Sequence, residues 1–146
     1  MHKNLVRNLL IGGGAYYFSF WIAPLLAWPY GKLTHRIIYS GAFETGIAMP
    51  LVLGLPYAVV SLGVGAIVVW LVESEHPLAW AALPAALYGF FGYFGEHWNQ
   101  PPSLIDRISQ VTGALLQAAA CLGGAVLALR RRADPRRVDL KMCDRS

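Results

Sequence analysis

The sequence predicts an all-α integral membrane protein, a bundle of four transmembrane helices with both termini on the cytoplasmic side. Two observations carry the class. Hydrophobic residues make up 56% of the 146 and charged residues only 14%, against about 25% charged in soluble domains. The apolar residues are also gathered into four uncharged runs, each close to the roughly 20 residues a helix needs to cross a bilayer. A soluble domain this small has too little interior to hide so much apolar surface.

The first run spans about residues 9–30 and holds no charge. Lys3 and Arg7 precede it, in the basic-then-apolar order of a signal peptide. The run is too long for one, however, and is filled with Tyr16, Tyr17, Phe18, Phe20 and Trp21. No small-residue cleavage site follows, so it reads as a retained helix. Trp28 and Tyr30 suit a membrane interface. Residues 31–45 read as a polar connection with Lys32, His35, Arg36 and Glu44.

The second run covers about residues 46–72. Pro50 and Pro56 fall in its first half, so that half is expected to bend or to begin late. Residues 73–77, Glu-Ser-Glu-His-Pro, are too few to re-cross anything, and they make the second and third helices an antiparallel hairpin. The third run covers about residues 78–95. A longer polar loop over 96–110 contains the Pro101-Pro102 break, and the fourth run covers about residues 111–129. Arg130, Arg131 and Arg132 end it. Residues 1–129 are therefore one membrane domain, and 130–146 form a short basic tail.

That tail carries seven of the twelve Lys and Arg and three of the eight acids, so the remaining 129 residues are neutral on balance. The basic character is local. With no aromatic residues between the tail's basic residues and no binding module, nucleic acid is not an expected partner. Four crossings put Lys3, Arg7 and the tail on one side, nine basic residues against the three of Lys32, Arg36 and Arg107. The positive-inside rule makes that side cytoplasmic, in a multi-pass protein of a cell (inner) membrane. A competing reading lays the third run flat on the surface and leaves three crossings, which would put the amino terminus outside.

Small residues mark two packing seams. Gly89, Gly92 and Gly95 recur every three residues in the third helix. In the fourth, Ala114, Ala120 and Gly124 take part in pairs four residues apart, and Gln110, Gln117 and Gly124 stack seven apart. Gln117 is expected to hydrogen-bond to a neighbouring helix. These seams either close the bundle or face a membrane-protein partner or a second copy.

Chemistry is scarce. No Asp, Glu, Lys, Arg or His falls in the middle of a run, which weighs against proton pumps, voltage sensors and carboxylate relays. No catalytic residue, metal site or cofactor is expected. Glu96 and His97 are adjacent and so point about 100° apart on a helix, whereas two ligands from one helix sit three or four residues apart. His35, Glu44, Glu96 and His97 form a candidate polar cluster at the outer mouth. The Gly12-Gly13-Gly14 run lacks the Lys and the preceding strand of a phosphate loop. Cys121 and Cys143 are expected to be distant free thiols. Arg130, Arg131 and Arg132 read as a topology anchor that also attracts anionic lipid.

Function is then expected to be binding: an accessory subunit, scaffold or immunity-type protein acting through helix contacts on the lipid bilayer's terms. The alternative is a homo-oligomeric transporter or channel with Tyr16, Tyr17 and Gln117 along its path. An enzyme using His97 beside Glu96 is a third reading.

Overall fold

The computed structural model describes residues 2–38, 48–94 and 104–133, and all of its regular structure is helical: α1 (His2–Ile38), α2 (Ala48–Leu71), α3 (Pro77–Phe94) and α4 (Leu104–Ala133). Three of these, α1, α2 and α4, are long and apolar enough to cross a membrane. The fourth, α3, is short at 18 residues, about 27 Å.

Two helices outrun their apolar runs. α1 continues to Ile38, past the polar residues after Tyr30. Lys32 lays its stem along the helix and places Nζ 3.7 Å from the Trp28 ring centre, four residues back. Thr34 returns its hydroxyl to the Tyr30 carbonyl at 3.0 Å. α4 begins at Leu104, seven residues before Val111. Leu104, Ile108 and Val111 sit at helical spacing, so about two charged, amphipathic turns lead into the apolar stretch. Charge ends an apolar run without ending a helix.

α2 starts at Ala48 with Pro50 in its first turn, where no intrahelical N–H bond is lost. The link to α3 is tight. Val72 N–H still bonds Val68, His76 N–H donates to the Ser74 hydroxyl, and Ala79 N–H bonds the His76 carbonyl. Pro77 then occupies the first helical position, whose N–H has no helical partner anyway.

Contacts fix the directions. Arg7 of α1 meets Glu73 after α2, so α1 and α2 run antiparallel. Gly12 lies against Leu83, and Tyr16 against Tyr88, so α1 and α3 run parallel. Gly54 faces Leu116, Gly65 faces Cys121, and Arg132 reaches Val69, so α2 and α4 run parallel. This is an up-down-up-down bundle. The Arg7 end of α1, the α2–α3 turn and the Arg132 end of α4 share one end of it. Among the described residues α1 packs on α2 and α3 but not on α4. The core is built from small and β-branched side chains: Val64, Val68 and Val69 of α2, Ala81 and Ala85 of α3, and Cys121, Ala125 and Ala128 of α4.

Candidate functional site

The uncharged stretch of α1 between Arg7 and Lys32 is about 24 residues, or about 36 Å. Its middle falls at residues 19–20. A polar cluster lies at that level inside the bundle. Tyr88 of α3 donates to the Ser19 hydroxyl of α1 at 2.7 Å, and Ser19 donates onward to the Tyr16 carbonyl. Ser61 of α2 bonds back to Tyr57 at 2.8 Å. The Tyr16 ring packs edge-on to Tyr88 with centroids 4.9 Å apart. These groups are uncharged and buried, and a hydrogen-bonded, uncharged cluster is what an apolar interior tolerates.

A second interior feature is the crossing of α2 and α4. A Cβ added to Gly65 would fall on the Cys121 carbonyl, and one added to Gly124 would fall on the Leu62 carbonyl. The two backbones therefore touch at reciprocal glycines, the close approach that small residues permit between membrane helices. Cys121 adds a weak bond from Sγ to the Ala81 carbonyl at 3.7 Å, which ties α4 to α3. Little room is left here for anything but packed atoms.

The end shared by Arg7 and Arg132 is charged. Arg7 pairs with Glu73 at 2.9 Å. Arg132 donates to the Val69 carbonyl at 3.1 Å and the Trp70 carbonyl at 3.5 Å, with its guanidinium 5.2 Å from the Trp70 ring centre. These are two of the last-turn carbonyls that a helix cannot satisfy alone. Trp70 with Arg132 at this end and Trp28 with Lys32 at the other give each end an aromatic–cation pair, as interfacial anchors do.

The outward surface differs from the interior in one respect. Tyr17 and Trp21 stand four residues apart, so they share a face of α1. Each is 65% exposed. They occupy the same level as the buried Ser19, within about 4 Å along the axis of the midpoint of the uncharged stretch.

The residues singled out from the sequence are dispersed. Of the outer-mouth cluster, His35 lies in the last turns of α1, while Glu44, Glu96 and His97 lie outside the described residues. Gly92 lies within α3, and Gly95 lies outside the described residues. Gly89 has open space where a Cβ would stand. On α4, Ala114 is buried and Gly124 faces α2, while Gln110, Gln117 and Ala120 are half-buried. The Gln110 Nε2 is enclosed without a hydrogen-bond partner among the described residues. Interhelical hydrogen bonds join Tyr88 to Ser19, Cys121 to the Ala81 carbonyl, and Arg132 to the Val69 and Trp70 carbonyls. Arg130, Arg131 and Arg132 are all exposed, and the Arg132 guanidinium reaches those two carbonyls. Cys121 is a buried free thiol, and Cys143 lies outside the described residues. Among the described residues no three His, Cys, Asp or Glu gather as metal ligands.

The Tyr88–Ser19 bond, the Gly65 half of the crossing and the Tyr17–Trp21 face were not legible in the sequence. Ser61 and Gly65, four apart in α2, were the available signal for the crossing. Comparison with known protein families, with curated proteins and with solved structures finds no match.

Proposed function

We propose that this protein crosses a bacterial-type inner membrane four times, with both termini cytoplasmic, and acts by helix–helix binding as an accessory subunit, scaffold or immunity-type protein. On this reading α3 crosses as well: its roughly 27 Å nearly matches the ~30 Å hydrocarbon core, and a bundle packed around it absorbs the small shortfall. The orientation rests on the nine-to-three distribution of Lys and Arg.

The observation that carries the binding role is the outward Tyr17–Trp21 pair. Tyr and Trp favour the two membrane interfaces, where the ring is buried and the polar edge is wet. Here both stand near mid-depth and face away from the bundle. Hydrocarbon offers their O–H and N–H nothing, at a cost of several kcal/mol for an unmet polar group. A protein neighbour removes that cost. The interior, meanwhile, is closed by backbone contact at Gly65 and Gly124 and by an uncharged, internally bonded tyrosine–serine cluster. That supports binding over transport through the bundle.

The test is extraction of tagged protein at native expression in a mild detergent, sized by chromatography, with co-eluting chains identified by mass. A stoichiometric second membrane protein is expected. A bare monomer would contradict the reading, and a pure homo-oligomer would favour the transport alternative.

A further inference from the structure

We infer that residues 2–10 of α1 are a hinged amphipathic anchor. They fold over at Gly13 and Gly14 and lie on the membrane surface at the Arg7 end of the bundle, where anionic phospholipid takes the place of Glu73. This rests on α1 crossing the membrane and not on the binding role.

Length comes first. The apolar span of α1 is Asn4–Thr34, 31 residues, or about 46 Å, against a hydrocarbon core of ~30 Å. Counted back from the Trp28–Lys32 pair, the roughly 20 residues of a crossing bring the boundary to Gly13. Residues 2–10 are surplus to the crossing. Arg7 meets Glu73 in the α2–α3 turn, so residues 2–6 project about 8 Å past the bundle. Leu5 and Val6 there are 49% and 55% exposed.

The residue pattern suits the surface better than the upright position. Leu5, Val6, Leu9 and Leu10 form one apolar side, all exposed. Asn4, Arg7 and Asn8 fall on the opposite side. Upright, that polar side turns Asn8 into the bundle, where it is 2% exposed and its Oδ1 has no hydrogen-bond partner among the described residues. Lying flat reverses both mismatches. Four apolar side chains enter the acyl boundary, and Asn8 and Arg7 reach water and headgroups, as in interfacial amphipathic helices. Lys3 adds a second cation to the segment, and anionic headgroups attract both. Ile11 is the one apolar residue on the inward side, and it lies beside the hinge, where displacement is smallest.

A Cβ at Gly13 or Gly14 would meet nothing, so packing within the bundle does not require glycine at either position. Glycine weakens a helix relative to alanine, and glycine pairs are among the places where helices kink. Beyond the pair, Tyr16 and Ser19 hold α1 to Tyr88. Before it, the polar hold is the exposed Arg7–Glu73 pair, a weak contact in water and one that anionic headgroups can replace.

The test is the distance between nitroxides at Val6→Cys and Glu75→Cys in the full-length protein carrying Cys121→Ala and Cys143→Ser, in phosphatidylcholine vesicles with or without phosphatidylglycerol. Two distances are expected, the shorter from the upright segment. The longer population should grow about fivefold when phosphatidylglycerol is added, and further with Glu73→Gln. It should shrink about tenfold when Gly13→Ala and Gly14→Ala are combined, whose methyls stand in open space and leave the fold intact. In the longer state oxygen should reach the Val6 label more readily than a nickel chelate does. A single short distance under all conditions overturns the inference. A longer population that ignores the two alanines overturns the hinge. A label favouring the nickel chelate shows release into water and overturns the membrane surface as the partner. None of these outcomes bears on the binding role.

Discussion

Tyr88 donates to Ser19 at 2.7 Å near the mid-depth of the bundle, joining α3 to α1. α1 lacks contact with α4 among the described residues, so its attachment rests on α2 and α3. Tyr88→Phe is expected to destabilise the protein by about 1 kcal/mol, the usual worth of an interhelical hydrogen bond in lipid. Ser19→Ala should cost a similar amount. The double variant should cost little more than either single one, because the partners share one bond. Unfolding in mixed micelles measures all three, and full additivity would contradict the bond.

The α2–α4 crossing separates two kinds of glycine. At Gly65 and Gly124 an added methyl meets backbone, which cannot rotate away. Gly65→Ala and Gly124→Ala are each expected to destabilise by about 1–3 kcal/mol or more. Gly89→Ala and Gly123→Ala place their methyls in open space and should change stability by about 0.5 kcal/mol or less. Thermal aggregation of the detergent-solubilised variants ranks the four.

The three arginines that end α4 are not equivalent. All three are exposed, but Arg132 caps α2 through the Val69 and Trp70 carbonyls. Arg132→Gln is expected to cost about 1 kcal/mol of stability. Arg130→Gln with Arg131→Gln should leave stability unchanged and weaken retention of anionic lipid. The Arg7–Glu73 pair is an exposed one, so Glu73→Gln should be worth less than about 1 kcal/mol and less still in high salt. Melting curves at two salt concentrations distinguish these cases.

The α2–α3 turn shares an end with Arg7 and Arg132, and the proposed orientation makes that end cytoplasmic. Ser74→Cys, in a Cys143→Ser background, should react with a membrane-impermeant maleimide only after cells are opened. Asp106→Cys should react on intact cells. The reverse pattern would invert the protein.

The four helices were legible in the sequence because uncharged runs are long and turn residues are few between Glu73 and Pro77. Their ends were not. Lys32 continues α1 by folding its stem over Trp28, and Leu104 to Gln110 add helix to α4 although they carry charge. Small-residue spacing on α4 drew attention to Gly124, but its mate Gly65 is one of several glycines in α2, and only the crossing angle decides which of them meets α4. Facing was the least legible property. α1 is apolar nearly all round, so composition does not say that Tyr16 turns inward to Tyr88 while Tyr17 turns outward. That one-residue difference separates a core tyrosine from one that needs a neighbour.

The most direct test of the account is the depth and facing of Trp21. A nitroxide is attached at each position from 9 to 30 of α1, one at a time, in a background with Cys121→Ala and Cys143→Ser, and the purified protein is placed in vesicles. Relative accessibility to oxygen over a nickel chelate should peak around residues 19–20, with positions 17 and 21 among the most oxygen-accessible and position 19 shielded. A peak displaced by two turns or more, or a shielded position 21, would contradict an outward tryptophan at mid-membrane and with it the binding face.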